Sequence, residues 1–311
     1  MKSFTVAPRP PAYLSLTERE WEEKLKRARE MASPCVLCPR HCRALRFQED
    51  AAVLGVCKTA DKAVVASAGP HFGEEPPLVG TGGSGTIFFS YCNLKCLYCQ
   101  NYTLAHLGEG REVTDEKLGE MMLRVQSQGC HNVNLVSPTH VVPNILAAVK
   151  LAAGRGLKIP LVCNTGGYDS LQTIRLLEGV VDIYMPDMKY GEGTASAELS
   201  LAPDYPEVNF AAVKEMHRQV GDLALDQKGV AVRGLLVRHL VLPGGLAGTG
   251  KVLKFIAGEI SKDTYINIMA QYRPYYRAHG HPVLRRGITA REYREALELA
   301  AKLGLTRVQA L

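Results

Sequence analysis

The sequence predicts an α/β protein, a partial parallel (β/α) barrel carrying a small cysteine-rich metal-binding head, and three observations predict it. Seven short apolar or β-branched runs follow residue 80, segments of helical period fill the gaps between them, and the runs are apolar almost throughout. Alternating strands have one wet face, whereas near-continuous apolar strands are covered on both faces, as in a parallel sheet under helices. Repeated strand–helix steps in one order build such a sheet through crossovers of a single hand, closing toward a barrel. The third observation is that seven of the nine cysteines fall between residues 35 and 99, ahead of most of the repeats. The expected division is therefore a head over 1–79 and a barrel over 80–311.

The elements follow in order. Thr17 with Glu20 forms a capping box that opens a charged helix of about fifteen residues, TEREWEEKLKRAREMAS, which Pro34 ends. Cys35, Cys38, Cys42 and Cys57 follow. The strands are TIFFS (86–90), NVNLVS (132–137), IPLVCNT (159–165), VDIYMPD (181–187), RGLLVRHLVL (233–242), TYINIM (264–269) and TRVQAL (306–311). Thr114 or Asp115 caps a helix stopped by Gly129, and Pro143 starts the next. SLQTIRLLEG and FAAVKEMHRQVG supply two more, and Thr289 with Glu292 boxes the last. TGGSGT (81–86) lies ahead of a strand rather than between a strand and a helix, so its glycines serve chain entry into the barrel rather than phosphate binding.

Composition narrows the class. With 311 residues, 46% hydrophobic and 22% charged, the chain has an ordinary globular profile and ample material for a large core. No run of eighteen apolar residues occurs, and the proline-broken start MKSFTVAPRPPAYLS lacks the apolar stretch of a secretory signal. A cytoplasmic protein without a membrane partner is expected. An odd number of clustered cysteines in so long a chain suits metal ligation better than a disulfide framework. The net charge of +6 comes from interspersed charges and permits an acidic partner without requiring one.

YCNLKCLYCQN (91–101) places Cys92, Cys96 and Cys99 just past the first barrel strand, at the end of the sheet where such folds gather their chemistry. Three thiolates leave a zinc site incomplete. A four-iron cluster tolerates the shortage, keeping one iron open to a small chelating molecule. The CxxxCxxC spacing, with aromatic Tyr98 before the last cysteine, resembles the signature of the radical S-adenosylmethionine (SAM) superfamily. GTIFFSYCNLKCLYCQNY, VNLVSPTHVVP, NTGGYD, VDIYMPDMKY, RGLLVRHLVLPGG and INIMAQYRP narrow the likeness. Together they are similar to the glycyl-radical-enzyme activating branch, and most of all to the uncharacterised homologues of pyruvate formate-lyase activating enzyme with an N-terminal four-cysteine cluster. The resemblance runs from about residue 35 to the end.

That resemblance implies a [4Fe-4S] cluster on Cys92, Cys96 and Cys99, with SAM on the open iron and reductive cleavage to a 5′-deoxyadenosyl radical. It implies reduced flavodoxin or ferredoxin as electron donor, and a glycyl-radical enzyme as one protein substrate; a small molecule or RNA is the alternative substrate, and a zinc-binding interaction module the non-enzymatic one. Met185, Asp187 and Lys189 fit the family's MxDxK stretch, where carboxylate and ammonium can hold a zwitterionic methionine moiety; a plain ion pair is the other reading. Asn164 and Thr165 stand where the family has an aspartate–threonine pair, so one carboxylate for a cation is missing. Ser137 and Thr139 replace a glycine-rich turn and offer hydroxyls, or exposed backbone carbonyls there, to the SAM amine. His140 faces substrate or is a structural hydrogen-bonder. Arg238 suits a carboxylate and is costly to bury unpaired; His239, on the other face, is structural. Gln271 stands near a family histidine position.

The head supplies an independent four-thiol set, Cys35-x2-Cys38-x3-Cys42-x14-Cys57. Its single CPRHC knuckle favours zinc over an auxiliary iron-sulfur cluster, with His41 a spare ligand at best. Cys130 and Cys163 belong to neither set and read as packed core residues. The tail YRPYYRAHGHPVLRRG mixes the residue types of nucleic-acid surfaces, but a lid over the barrel mouth is the favoured use.

Overall fold

Near-continuous apolar runs pair with one another in a single direction and form the centre of the molecule. The computed structural model describes residues 4–7, 9–47 and 54–310. Among them the strands are β1 (Ala63–His71), β2 (Ser84–Phe89), β3 (Arg111–Val113), β4 (Val133–Val136), β5 (Leu161–Thr165), β6 (Ile183–Pro186), β7 (Ala224–Leu225), β8 (Ala231–Leu240), β9 (Tyr265–Met269) and β10 (Arg307–Ala310). Across the sheet the order is β10-β9-β8-β6-β5-β4-β2-β1-β3, with β7 beside β8. Every neighbouring pair from β2 to β10 along that path is parallel. These seven strands are the seven runs read from the sequence. The sheet stays open between β3 and β10, so the fold is a partial barrel.

The helices are α1 (Glu18–Ala32), α2 (Pro76–Val79), α3 (Tyr102–Ala105), α4 (Asp115–Ser127), α5 (Val142–Gly154), α6 (Leu171–Leu176), α7 (Gly193–Ser200), α8 (Tyr205–Val220), α9 (Thr249–Phe255) and α10 (Ala290–Lys302). Both predicted capping boxes are present, Thr17 with Glu20 and Thr289 with Glu292. Thr114 rather than Asp115 caps α4, accepting from the Lys117 amide. None of the helices among the described residues is long and apolar enough to cross a membrane.

Two apolar layers follow from strand alternation. Ile87, Leu135 and Cys163 face outward and pack with Leu118, Met122, Leu146 and Val149 of the covering helices. Val162, Ile183, Met185 and Leu236 face inward around Leu78 of α2. Leu135 is 1% exposed at the centre of the outer layer. Leu135→Ala should cost about 2–5 kcal/mol, read as a lowered urea midpoint with an unchanged slope.

The described elements before β2 contact the barrel. α1 packs on α5 and α6, β1 pairs antiparallel with β2, and the β1–β2 connection enters the open barrel, where Asn132 donates to the Leu78 carbonyl. The boundary expected at 79/80 thus falls between α2 and β2, inside one connected structure. The glycine-rich turn before β2 has its own partner, because the Thr81 and Gly82 amides both donate to His131 Nε2 (3.1 and 2.9 Å).

Candidate functional site

All seven parallel strands end on one side, and there the loop after β2 carries Cys92, Cys96 and Cys99. Its course is fixed by the main chain: the Tyr91 amide donates to Leu104 O, Cys99 to Cys96 O, Lys95 to Ser200 O and Leu97 to Leu199 O. Cys92 Sγ accepts from the Leu94 amide (3.4 Å) and Cys96 Sγ from Ser200 Oγ (2.9 Å). Burial pushes the Cys92 thiol up to about 11 and the Cys99 thiol up to about 12. Without metal both are neutral thiols, so loading a metal must release their protons.

These cysteines line a cavity of about 250 Å³. Tyr98, Ser137, Asn164, Thr165, Asp187, Lys189, Arg238 and Gln271 line it as well. Residues from the ends of β4, β5, β6, β8 and β9 therefore meet the cysteine loop across one space. Asp187 is the hub: its Oδ2 accepts from Lys189 Nζ (2.6 Å) and its Oδ1 from Arg238 Nε (3.0 Å). Burial alone would raise this carboxyl, but the charges of Lys189 and Arg238 overcome it and hold it below its ordinary value. Burial likewise opposes the charge on Lys189 and on Arg238, and the carboxylates around them outweigh it. Arg238 Nη2 donates to Asn164 Oδ1 (2.8 Å), and Nη1 lies 3.6 Å from Glu74 Oε2. A guanidinium has five N–H groups, so Arg238 keeps donors for a ligand while three acceptors hold it still.

Two expected residues do other work. Thr139 is absent from the cavity wall, and its hydroxyl donates to Asp169 Oδ1 (2.6 Å). Thr165 reaches the wall, but its hydroxyl donates to Asp169 Oδ2 (2.7 Å). A buried carboxylate is the stronger acceptor and captures both hydroxyls. His140 also lies off the wall; its Nε2 donates to Ser90 O (2.9 Å), and burial lowers the ring to about 4. His239 is structural as expected, donating from Nδ1 to Met188 O (2.6 Å) and accepting from Thr249 at Nε2. Met185 points into the apolar interior.

A supporting layer was not foreseen. Tyr205 of α8 donates to Gly166 O (2.8 Å) or Asp187 O (2.9 Å), and accepts from the Lys189 amide. Asn209 spans the Gly167 and Asp187 carbonyls, both at 3.0 Å. One helix face thus ties the ends of β5 and β6 together directly behind Asp187. Spacing alone offers a signal: Tyr205 and Asn209 are polar residues one turn apart on an otherwise apolar helix face.

The head sits on this mouth. Arg46 donates to the His140 carbonyl (2.8 Å), and Leu37 O accepts from Ser170 and Thr173. Within the head, Cys35 and Arg43–Ala44 form a knuckle through paired main-chain bonds, and Cys35, Cys38 and Cys57 are buried. Among the described residues, no three histidine, cysteine, aspartate or glutamate side chains stand close enough to form a finished metal site. The donor chemistry nevertheless fits an iron-sulfur cluster at the three-thiol loop and zinc or iron at the four-thiol head, since thiolates are the ligands those metals take and binding itself supplies the deprotonation. The tail also packs on the cysteine loop: Arg277 N donates to Leu97 O, and Tyr276 stacks on Tyr102 and His106 (5.1 and 4.8 Å between centroids).

An open parallel half-barrel with a three-thiol loop at its strand ends, facing a half-buried carboxylate–ammonium–guanidinium cluster, defines the class. Residues 86–217 match the radical SAM superfamily. The uncharacterised protein MJ0674 of Methanocaldococcus jannaschii is 30% identical over 291 residues, covering 91% of this chain and 78% of that one. Residues 86–217 thus form a radical SAM superfamily domain, and such a domain implies a [4Fe-4S] cluster and SAM. Among solved structures the chain is similar to a domain of pyruvate-formate lyase-activating enzyme from Bacteroides vulgatus (13% identity, 63% of this chain and 91% of that one, TM-score 0.35). It is also similar to anSMEcpe with bound AdoMet and Cp18Cys peptide (16% identity, 68% of this chain and 56% of that one, TM-score 0.48).

Proposed function

We propose that this chain is an enzyme that binds SAM beside a [4Fe-4S] cluster held by Cys92, Cys96 and Cys99, and that its substrate is a glycyl-radical enzyme. The observation that carries the reading is that the three thiols and the Asp187–Lys189–Arg238 cluster wall the same cavity. Cys92, Cys96 and Cys99 would hold the cluster, whose chemistry would be one-electron reductive cleavage of SAM to methionine and a 5′-deoxyadenosyl radical. The chain's own residues bind and shield. Asp187 takes the methionine amine; Lys189 and the free N–H groups of Arg238 take the carboxylate, with Asn164 and Ser137 completing the polar rim. Val136, Leu240, Met269 and the buried Tyr98 ring exclude water from the same space. Reduced flavodoxin or ferredoxin is the proposed donor, and the basic balance of the chain suits such acidic partners. For the head set we propose zinc ahead of a second cluster.

Anaerobic reconstitution with iron and sulfide, then reduction in the presence of SAM, should yield 5′-deoxyadenosine from the native chain. Cys99→Ala should yield none while the four head cysteines keep their metal. Colourless protein that carries only zinc and leaves SAM intact would reject the reading. Hydrogen abstraction from a small molecule or RNA, with a co-purified glycyl-radical enzyme left untouched, would keep the enzyme and replace its substrate.

A further inference from the structure

Radical chemistry at the Cys92–Cys99 loop depends on how firmly its sulfurs are held, and two residues outside the superfamily signature hold one of them. Cys96 Sγ accepts a hydrogen bond from Ser200 Oγ at 2.9 Å. Ser200 has one hydroxyl proton, so with that proton spent on the sulfur, the contact of 2.6 Å between Tyr190 OH and Ser200 Oγ has the tyrosine as donor. Both residues are fully buried. The relay Tyr190 to Ser200 to Cys96 therefore ends on a thiolate whenever Cys96 is a ligand, a charge-assisted arrangement of the stronger kind.

Ser200 is the last residue of α7, and part of what fixes it comes from the head. Leu201 follows it in the left-handed region (φ 51°), where the Leu201 and Ala202 amides take up Ala197 O and Ser196 O and the last carbonyls of the helix are met from outside. The Leu97 and Lys95 amides of the cysteine loop donate to Leu199 O and Ser200 O, and Arg40, in the knuckle between Cys38 and Cys42, adds donors from the head. Its Nη2 reaches Ser200 O (3.2 Å), its Nη1 bonds Leu201 O, and its Nε donates to Asn93 O (2.9 Å), next to Cys92. The guanidinium also lies over the Tyr168 ring at 5.2 Å. A cation at a helix carboxyl terminus is favourable in its own right. Here one planar fork binds the α7 cap and the cysteine loop at once, which lysine's single ammonium cannot reproduce.

We infer that Ser200 and Arg40 are positioning residues for the Cys96 sulfur: Ser200 donates to it directly, and Arg40 carries the state of the four-cysteine head to it by fixing the Ser200 main chain. The inference rests on the proposed cluster at Cys92, Cys96 and Cys99. A hydrogen bond to a ligand sulfur favours the more negative, reduced cluster and so raises its reduction potential. The head is then more than a staple, because loosening its knuckle lowers the potential of a site in another part of the chain.

The test is an EPR-monitored redox titration of the reconstituted native, Ser200→Ala, Ser200→Thr, Arg40→Ala and Arg40→Ala/Ser200→Ala chains, with hydrogen exchange on the metal-free proteins beside it. Ser200→Ala should shift the potential down at unchanged iron content, and Ser200→Thr should restore it. Arg40→Ala should shift it down by less, and the double variant should fall no further than Ser200→Ala, because Arg40 acts through Ser200. In the metal-free chain Arg40→Ala should speed exchange at the Lys95 and Leu97 amides, which pair with Ser200 and Leu199. A native chain that takes up no cluster overturns this inference together with the reading it rests on. A native chain that cleaves SAM while Ser200→Ala keeps the native potential overturns this inference alone, and so does an additive double variant or unaltered exchange in Arg40→Ala.

Discussion

Arg238→Ala should lower the melting temperature by roughly 10 °C, corresponding to about 3–5 kcal/mol, and should abolish SAM binding by the reconstituted chain. The side chain is half-buried among three acceptors, so its removal subtracts more than one contact. Asp187 would keep only Lys189, Asn164 Oδ1 would lose its donor, and Glu74 would keep only His71, whose Nδ1 stands 3.4 Å away. Breaking a buried network costs more than never having built it, because the charges left behind stay desolvated. The deficit carries a pH signature. Burial already holds Glu74 above its ordinary value against the pull of Arg238, and deleting that pull raises it further. A carboxyl raised on folding contributes stability below its unfolded value and loses it as pH rises through the folded one, so the deficit should be larger in alkaline than in mildly acidic buffer. Arg238→Lys should recover part of the stability and little of the binding, since an ammonium cannot reach Asp187, Asn164 and Glu74 together. A thermal scan of Arg238→Ala within about 1 kcal/mol of native, with no dependence on pH, would mean that the interior charges are balanced in some other way.

Much of this architecture was legible because it is written in short-range patterns. The seven parallel strands are apolar on both faces, and the helices between them carry their own caps, as Thr17 and Thr289 show. The cysteine loop drew notice by its spacing, Asp187 and Lys189 by their likeness to the MxDxK stretch, and Arg238 by the cost of an arginine inside a parallel strand. What the sequence hid depends on partners far along the chain. β1 reads AVVASAGPH, with small residues, Gly69 and Pro70 where a strand signal wants bulk, and it forms because β2 and β3 flank it. Thr139 looked like an open hydroxyl until Asp169, thirty residues on, took it. Nothing in its sequence neighbourhood marks Glu74, yet it sits beside Arg238 inside the barrel. The same holds for Arg40, whose three carbonyl partners lie 53 and about 160 residues away. Periodicity carries burial; it does not carry which two buried polar groups will face each other.

The NTGGYD turn shows how closely backbone and charge are fitted at the site, and Gly167→Ala should be the most damaging single-methyl change in it. Gly167 has φ +76°, and a Cβ built there would stand 2.1 Å from Asp187 O and 2.2 Å from Asn209 Nδ2. Two costs combine: about 1–2 kcal/mol for a side chain in the left-handed region, and the work of parting β5 from the end of β6, which Asn209 and Tyr205 clamp from behind. Two other glycines separate these costs. Gly129 has φ +85° with open space around it, so Gly129→Ala measures the conformational cost alone. Gly166 has no positive φ, and its added methyl would meet the Leu94 Cδ1 tip at 3.0 Å, a side chain that can yield. Both should cost about 1 kcal/mol or less to 2 at most in urea titrations, whereas Gly167→Ala should exceed about 3 kcal/mol. Moving Asp187 O also moves its carboxylate away from Lys189 and Arg238, so SAM binding should fall in the Gly167 variant even below its unfolding midpoint and remain in the Gly129 variant. Equal losses for Gly167→Ala and Gly129→Ala would show that backbone strain alone matters there, and that the close approach of Gly167 to Asp187 does not hold the site together.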